Sequence, residues 1–200
     1  MDDDIPIGDG QIGEAEEAVA GQAVSHRRYL GAQIATFIAA GVFSSLVVYP
    51  LIHETGHLLP ALWSGAEVNR FVWTPLMGRP HVSLNLVSGA AKPWVAAGGV
   101  LLPTLVGTLL FAAWLLLPPK RPIPLWRYWL LFPGITLLSG NLGLLIERFT
   151  PPEAYRHMTP LAGAVAGGSV LFELAPALWS GLLFGLVAVS AWRQRFVQDR

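Results

Sequence analysis

Four stretches of the chain run for a full membrane-helix length almost without charge. Tyr29 to Ile52 holds no Asp, Glu, Lys or Arg in 24 residues, Pro93 to Pro119 none in 27, and Tyr128 to Ile146 none in 19. From Met158 to Trp192 only Glu173 interrupts. A helix of about 20 apolar residues crosses about 30 Å of hydrocarbon and satisfies its own backbone polar groups there. The pattern predicts an all-α membrane protein with four transmembrane helices, at 29–63, 93–117, 125–147 and 160–192. The first and last exceed a bare span, so they must tilt, kink or project.

Pro50, Pro103, Pro133 and Pro176 fall inside these stretches. In a soluble helix interior each costs about 3 kcal/mol, whereas in a polytopic bundle neighbours re-satisfy the freed backbone groups. Gly163-x-x-x-Gly167 and Gly181-x-x-x-Gly185 space small residues for close helix approach. Trp63, Trp94, Trp114, Trp126, Trp129 and Trp192 lie near the predicted span ends, where interfacial aromatics sit. Residues 69–88 read differently. They mix Val, Phe, Trp and Thr with Gly78, Arg79 and Pro80, then partly alternate from His81 to Ser88. This predicts a short β-hairpin between the first and second spans.

Composition sharpens the class. Hydrophobic residues make up 53% of the 200-residue chain and charged residues 13%, with a mean hydropathy of +0.50. A soluble domain carries about 25% charge. The shortfall excludes a disordered chain, a basic nucleic-acid-binding protein and a typical water-soluble enzyme. The 13 basic and 13 acidic residues cancel, so their placement says more than their sum. Residues 1–24 hold seven acids and no Lys or Arg, with no basic start and no early apolar run. This is not a signal peptide but an acidic tail expected to be disordered, ahead of a single polytopic domain at 25–200. With four spans, eight Lys and Arg fall on the side of both termini and five on the other, a slight bias for termini inside. The chain has no cysteine, which leaves no disulfide framework or thiolate chemistry.

The chemistry concentrates near the end of the first span, in His53-Glu54-Thr55-Gly56-His57. Two histidines at i and i+4 share one helical face and can reach one Zn²⁺ together. The Glu beside the first histidine is then placed as general base for the attacking water. Ionisable groups at a span are costly and point to function. A bland alternative is an interfacial helix end whose histidines anchor among headgroups. Zinc in a catalytic site also needs a third protein ligand and an open position.

His53-Glu-Thr-Gly-His-Leu-Leu-Pro-Ala-Leu-Trp-Ser-Gly65 resembles the site-2-protease class of intramembrane zinc metallopeptidases, peptidase family M50, especially its compact M50B-like branch. In that family the core helix bearing H-E-x-G-H is followed by a short membrane-associated β segment, which residues 69–88 would match. Ala96-Ala-Gly-Gly-Val100 resembles the small, glycine-rich start of the second core helix, without its usual proline. The family's third ligand is the aspartate of an L-D-G segment. This chain has no Asp between Asp9 and Asp199, and Pro152-Glu153-Ala-Tyr-Arg-His-Met158 resembles that segment with Glu153 in the aspartate's place. Glu can ligate zinc as Asp does. Asn141 in Ser139-Gly-Asn-Leu-Gly143 resembles the family's substrate-contacting Asn, and its alternative reading is a bond to a freed backbone group in this glycine-rich apolar stretch. Glu153 follows the third span and His57 ends the first, so both fall on one membrane side, which the family architecture turns toward the cytoplasm.

The resemblance implies a multi-pass protein of a bacterial cell membrane that hydrolyses transmembrane or membrane-proximal peptides. His53, His57 and Glu153 would hold Zn²⁺, Glu54 would act as base, and Asn141 would contact substrate. Its partners would be that substrate and the lipid bilayer, with no nucleic acid; the oligomeric state is open. The hairpin's exposed edge would hold the peptide as an added strand. His157, Glu147 and Glu173 are alternative polar groups: a loop histidine, an interfacial acid beside Arg148, and a buried acid three residues before Pro176. His81 reads as an exposed hairpin residue. The competing class is a catalytically inactive M50-like membrane binding or regulatory protein, supported by the missing aspartate. A zinc transporter is weaker, because a transport path needs more ligands along the spans.

Overall fold

The computed structural model describes residues 27–85, 89–118, 124–148, 174–186 and 188–189. The chain divides into two units between Ala39 and Ala40. Of the first, residues 27–39 are helical, with Leu30, Ile34, Phe37 and Ile38 exposed. They belong to helix α1, residues 27–43. A π-helical turn, Ser44–Val48, leads into α2, Tyr49–Trp63. Strands β1, Glu67–Val72, and β2, His81–Asn85, follow, then α3, Lys92–Leu116, and α4, Tyr128–Arg148. A shorter apolar helix, α5, covers Leu174–Leu186. The described residues are thus mostly helical, with one two-stranded antiparallel sheet, as the charge-free stretches and the 69–88 pattern predict.

Among the described residues two helices are long and apolar enough to cross a membrane, Arg27–Trp63 and Gly89–Leu116. Part of the fourth predicted span, the acidic tail, Glu153, His157 and Glu173 lie outside the described residues.

Proline chemistry shapes the first of these helices. Pro50 sits at the start of α2 and has no N–H to return to the Leu46 carbonyl. The π turn falls over this position, where a widened turn absorbs the ring. The Thr74 hydroxyl donates to the Leu46 carbonyl at 2.9 Å. The helix defect therefore becomes a tether for the hairpin connection, and Thr74 is buried there.

The end of α2 is set by glycine. Gly65 adopts φ 76°, and the amides of Ala66 and Gly65 donate to Ala61 and Leu62 carbonyls at 3.0 and 3.1 Å. This is a Schellman termination, which needs a left-handed residue after the cap. It turns the chain directly into β1. Strand pairing sets Phe71 opposite Val82 and Val72 opposite His81, with an irregularity between Val68 and Arg70. The hairpin begins two residues earlier than the sequence pattern predicts.

Packing of α2 on α3 rests on absent side chains. A Cβ at Gly98 would overlap the Gly56 carbonyl, and one at Gly56 would overlap Gly98. Pro60 cannot donate to that same Gly56 carbonyl, four residues earlier, so the group freed inside α2 faces the α3 backbone. Farther along, Gly107 of α3 and Gly134 of α4 let those helices approach around Phe111, Leu137 and Leu138, all fully buried. Leu183 and Phe184 of α5 complete this cluster.

Candidate metal and catalytic site

His53, Glu54 and His57 lie on α2 just after the Pro50 turn. One helical turn separates the histidines, and their rings meet edge to face with centroids 4.7 Å apart. His53 Nε2 and His57 Nε2 are 3.2 Å from each other. Two nitrogens each about 2.0–2.1 Å from one tetrahedral zinc lie about 3.3 Å apart. The imidazole pair therefore fits a shared metal ion in spacing and in donor atoms.

The surroundings fix which nitrogen can ligate. His57 Nδ1 lies 2.7 Å from the Val95 carbonyl oxygen of α3. A carbonyl only accepts, so Nδ1 carries the proton and Nε2 presents its lone pair. Metal-binding histidines are commonly oriented by such a bond. The His57 ring also fills the space over Gly99, where a side chain would collide with it. His53 is stacked on Tyr49, one turn earlier, at 5.6 Å and 18°. Tyr49 in turn lies against Gly140 of α4, where a Cβ would overlap its ring. Both imidazoles are thus positioned by groups on neighbouring turns and helices.

Glu54 is buried, at 7% exposure, and its carboxylate accepts a hydrogen bond from the Val82 backbone N–H. That donor belongs to β2, so the hairpin reaches the acid directly. The Thr74 tether holds the hairpin connection to the π turn, and the Glu54–Val82 bond holds β2 to α2. A pocket of about 700 Å³ opens here. Its wall on α2 is His53, Glu54 and His57. The hairpin contributes Arg79, His81 and Leu84, and α3 contributes Lys92 and Val95. A second cavity, of about 590 Å³, lies between α2 and α3 and is apolar, with Leu59, Trp63, Trp94 and Leu101 among its walls.

The structure brings together His53, Glu54 and His57 and does not bring Asn141 into their pocket. Asn141 is buried on α4, and its Nδ2 donates to Thr104 Oγ1 of α3 at 3.0 Å and to Ser180 Oγ of α5 at 3.1 Å. Each hydroxyl donates onward to a carbonyl of its own helix, Val100 and Pro176. Asn141 thus joins three helices. Among the described residues no group of three His, Cys, Asp or Glu forms a complete ligand set. Glu153 and His157 lie outside them, and of Glu147 only the backbone is described.

Sequence reasoning missed four contributors. His81 is exposed, as its hairpin position suggests, yet it faces the pocket. Arg79, Lys92 and the Val82 amide join it from segments 25 or more residues beyond His53. Strand alternation could have placed Val82 and His81 on opposite faces. It could not have aimed the edge of β2 at α2. Comparison with protein families, with curated proteins and with solved structures finds no match to this chain.

Proposed function

We propose that this chain is an intramembrane zinc metallopeptidase of the site-2-protease kind, with four helical segments crossing the bilayer. The observation that carries the reading is the convergence of His53 Nε2 and His57 Nε2 at 3.2 Å beside the buried Glu54. The membrane setting is supported by the low burial of the two long apolar helices among the described residues. The core helix of a soluble protein would be mostly covered, whereas lipid accepts exposed Leu105, Leu109 and Leu178.

A zinc ion held by the two imidazoles supplies Lewis acidity toward water and a peptide carbonyl. The remaining roles fall to the chain. The Val95 carbonyl holds His57 in the ligating tautomer. Glu54, oriented by the Val82 amide, takes the proton of the attacking water and delivers it to the departing nitrogen. Glu153 is the proposed third ligand, carried by the family resemblance, with His157, Glu147 and Glu173 as competitors. A transmembrane or membrane-proximal peptide, locally unwound, would lie along the outer edge of β2 as an added strand.

A second reading, an inactive relative that binds a partner within the membrane, is favoured by the absence of Asp between Asp9 and Asp199. Metal analysis of the purified full chain separates the two. The peptidase reading expects about one zinc per chain, lost in His57→Ala. A metal-free wild-type protein would overturn it in favour of the inactive relative.

A further inference from the structure

The pocket is electrostatically lopsided. Among the described residues Glu54 is the one acid in its walls, and it is buried and already holds the Val82 amide. Arg79 from the hairpin, Lys92 at the start of α3 and His81 of β2 stand around it, all exposed. Arg79 and Lys92 make no ion pair among the described residues. The His81 ring is turned by a 2.8 Å contact between Nδ1 and the Arg79 carbonyl, which ties these two residues into one corner. Two full positive charges from separate, exposed elements therefore flank a pocket in which the described acid, Glu54, is buried.

We infer that the pocket selects peptides carrying a carboxylate close to the position the histidines and Glu54 address, with Arg79 and Lys92 as the specificity-determining residues. This rests on the reading of the pocket as a peptide site. Guanidinium offers a planar fork that matches a carboxylate, and the Lys92 ammonium adds a point charge that tolerates varied geometry. Exposed rim charges of this kind act chiefly through steering and discrimination: they draw an acidic segment in and repel a basic one. The acid of the substrate must stay at the rim, because Glu54 would repel it from the floor. The carboxylate can belong to an Asp or Glu side chain or to a free chain end, and the chemistry at the rim is the same.

The test uses the full chain bearing Glu54→Gln, so that bound peptide stays intact, in nanodiscs of neutral phosphatidylcholine. The probes are synthetic peptides with one leucine-alanine membrane segment and a flank of Glu-Glu, Gln-Gln or Lys-Lys, each amidated, plus the Gln-Gln peptide with a free C-terminal carboxylate. Fluorescence anisotropy reads binding. The Glu-Glu peptide or the free-acid peptide is expected to bind about tenfold tighter than the Lys-Lys peptide, with the gap narrowing as salt rises. Whichever of the two gains identifies the source of the carboxylate. Arg79→Gln with Lys92→Gln should remove the preference while peptides still bind, and Arg79→Glu with Lys92→Glu should invert it. Equal binding of all four peptides, or an unchanged preference in both double variants, overturns the charge selection and leaves the peptide site standing. Failure of every peptide to bind overturns the peptide-site reading and the inference with it.

Discussion

The His57 imidazole occupies the space that a side chain at Gly99 would need. The first residue is half of the H-E-x-x-H sequence; the second lies on a different helix, 42 positions later. A methyl group at 99 must push the ring off its position, and with it the Nδ1 contact to the Val95 carbonyl. Gly99→Ala is expected to weaken zinc binding by about 10–100-fold, as loss of an orienting partner does. Competition with a chromophoric chelator measures it, and unchanged affinity would remove Gly99 from the site.

Glu54→Gln keeps the shape of the side chain and its capacity to accept from the Val82 amide, but gives up basicity. Zinc content should stay near wild type while peptide cleavage falls by about 10²–10⁴-fold. Retained turnover would show that another group accepts the proton.

Asn141 offers a test of role against role. As a clasp between Thr104 and Ser180 it should act on stability. Asn141→Ala removes one buried and one partly buried hydrogen bond, and a loss of about 1–3 kcal/mol in unfolding free energy is expected, with zinc affinity unchanged. A variant that stays equally stable but binds model peptides more weakly would return Asn141 to the substrate.

Thr74→Val retains the volume of the side chain and deletes its donor. The Leu46 carbonyl, which Pro50 cannot serve, then loses the hydroxyl bond at 2.9 Å. About 1 kcal/mol of stability should be lost, and the hairpin should exchange amide hydrogens faster, Val82 included. Unchanged exchange at Val82 would mean that the tether does not hold the hairpin on Glu54.

Much of the architecture was legible because long apolar helices announce themselves by composition. The helices from 92 and 128 begin within three residues of the predicted 93 and 125, since charge at the ends is what stops an apolar run. The hairpin was visible through β-branched and aromatic residues around Gly78 and Pro80. The predicted first span, 29–63, runs through Pro60, and α2 does so, with the orphaned Gly56 carbonyl against a glycine backbone of α3.

The sequence by itself determined the donor set of His53 and His57 and its register, since a 3.6-residue repeat leaves residues four apart on one face whatever surrounds them. It determined that Glu54 stands next to that face. Tertiary structure alone decided what meets those groups. Val95 and Gly99 on α3, Val82 and His81 on β2, and the cations Arg79 and Lys92 arrive there because proline-freed carbonyls and glycine gaps let separate elements close on α2. Such contacts depend on three-dimensional distance between residues far apart in the chain, and no local periodicity encodes that distance.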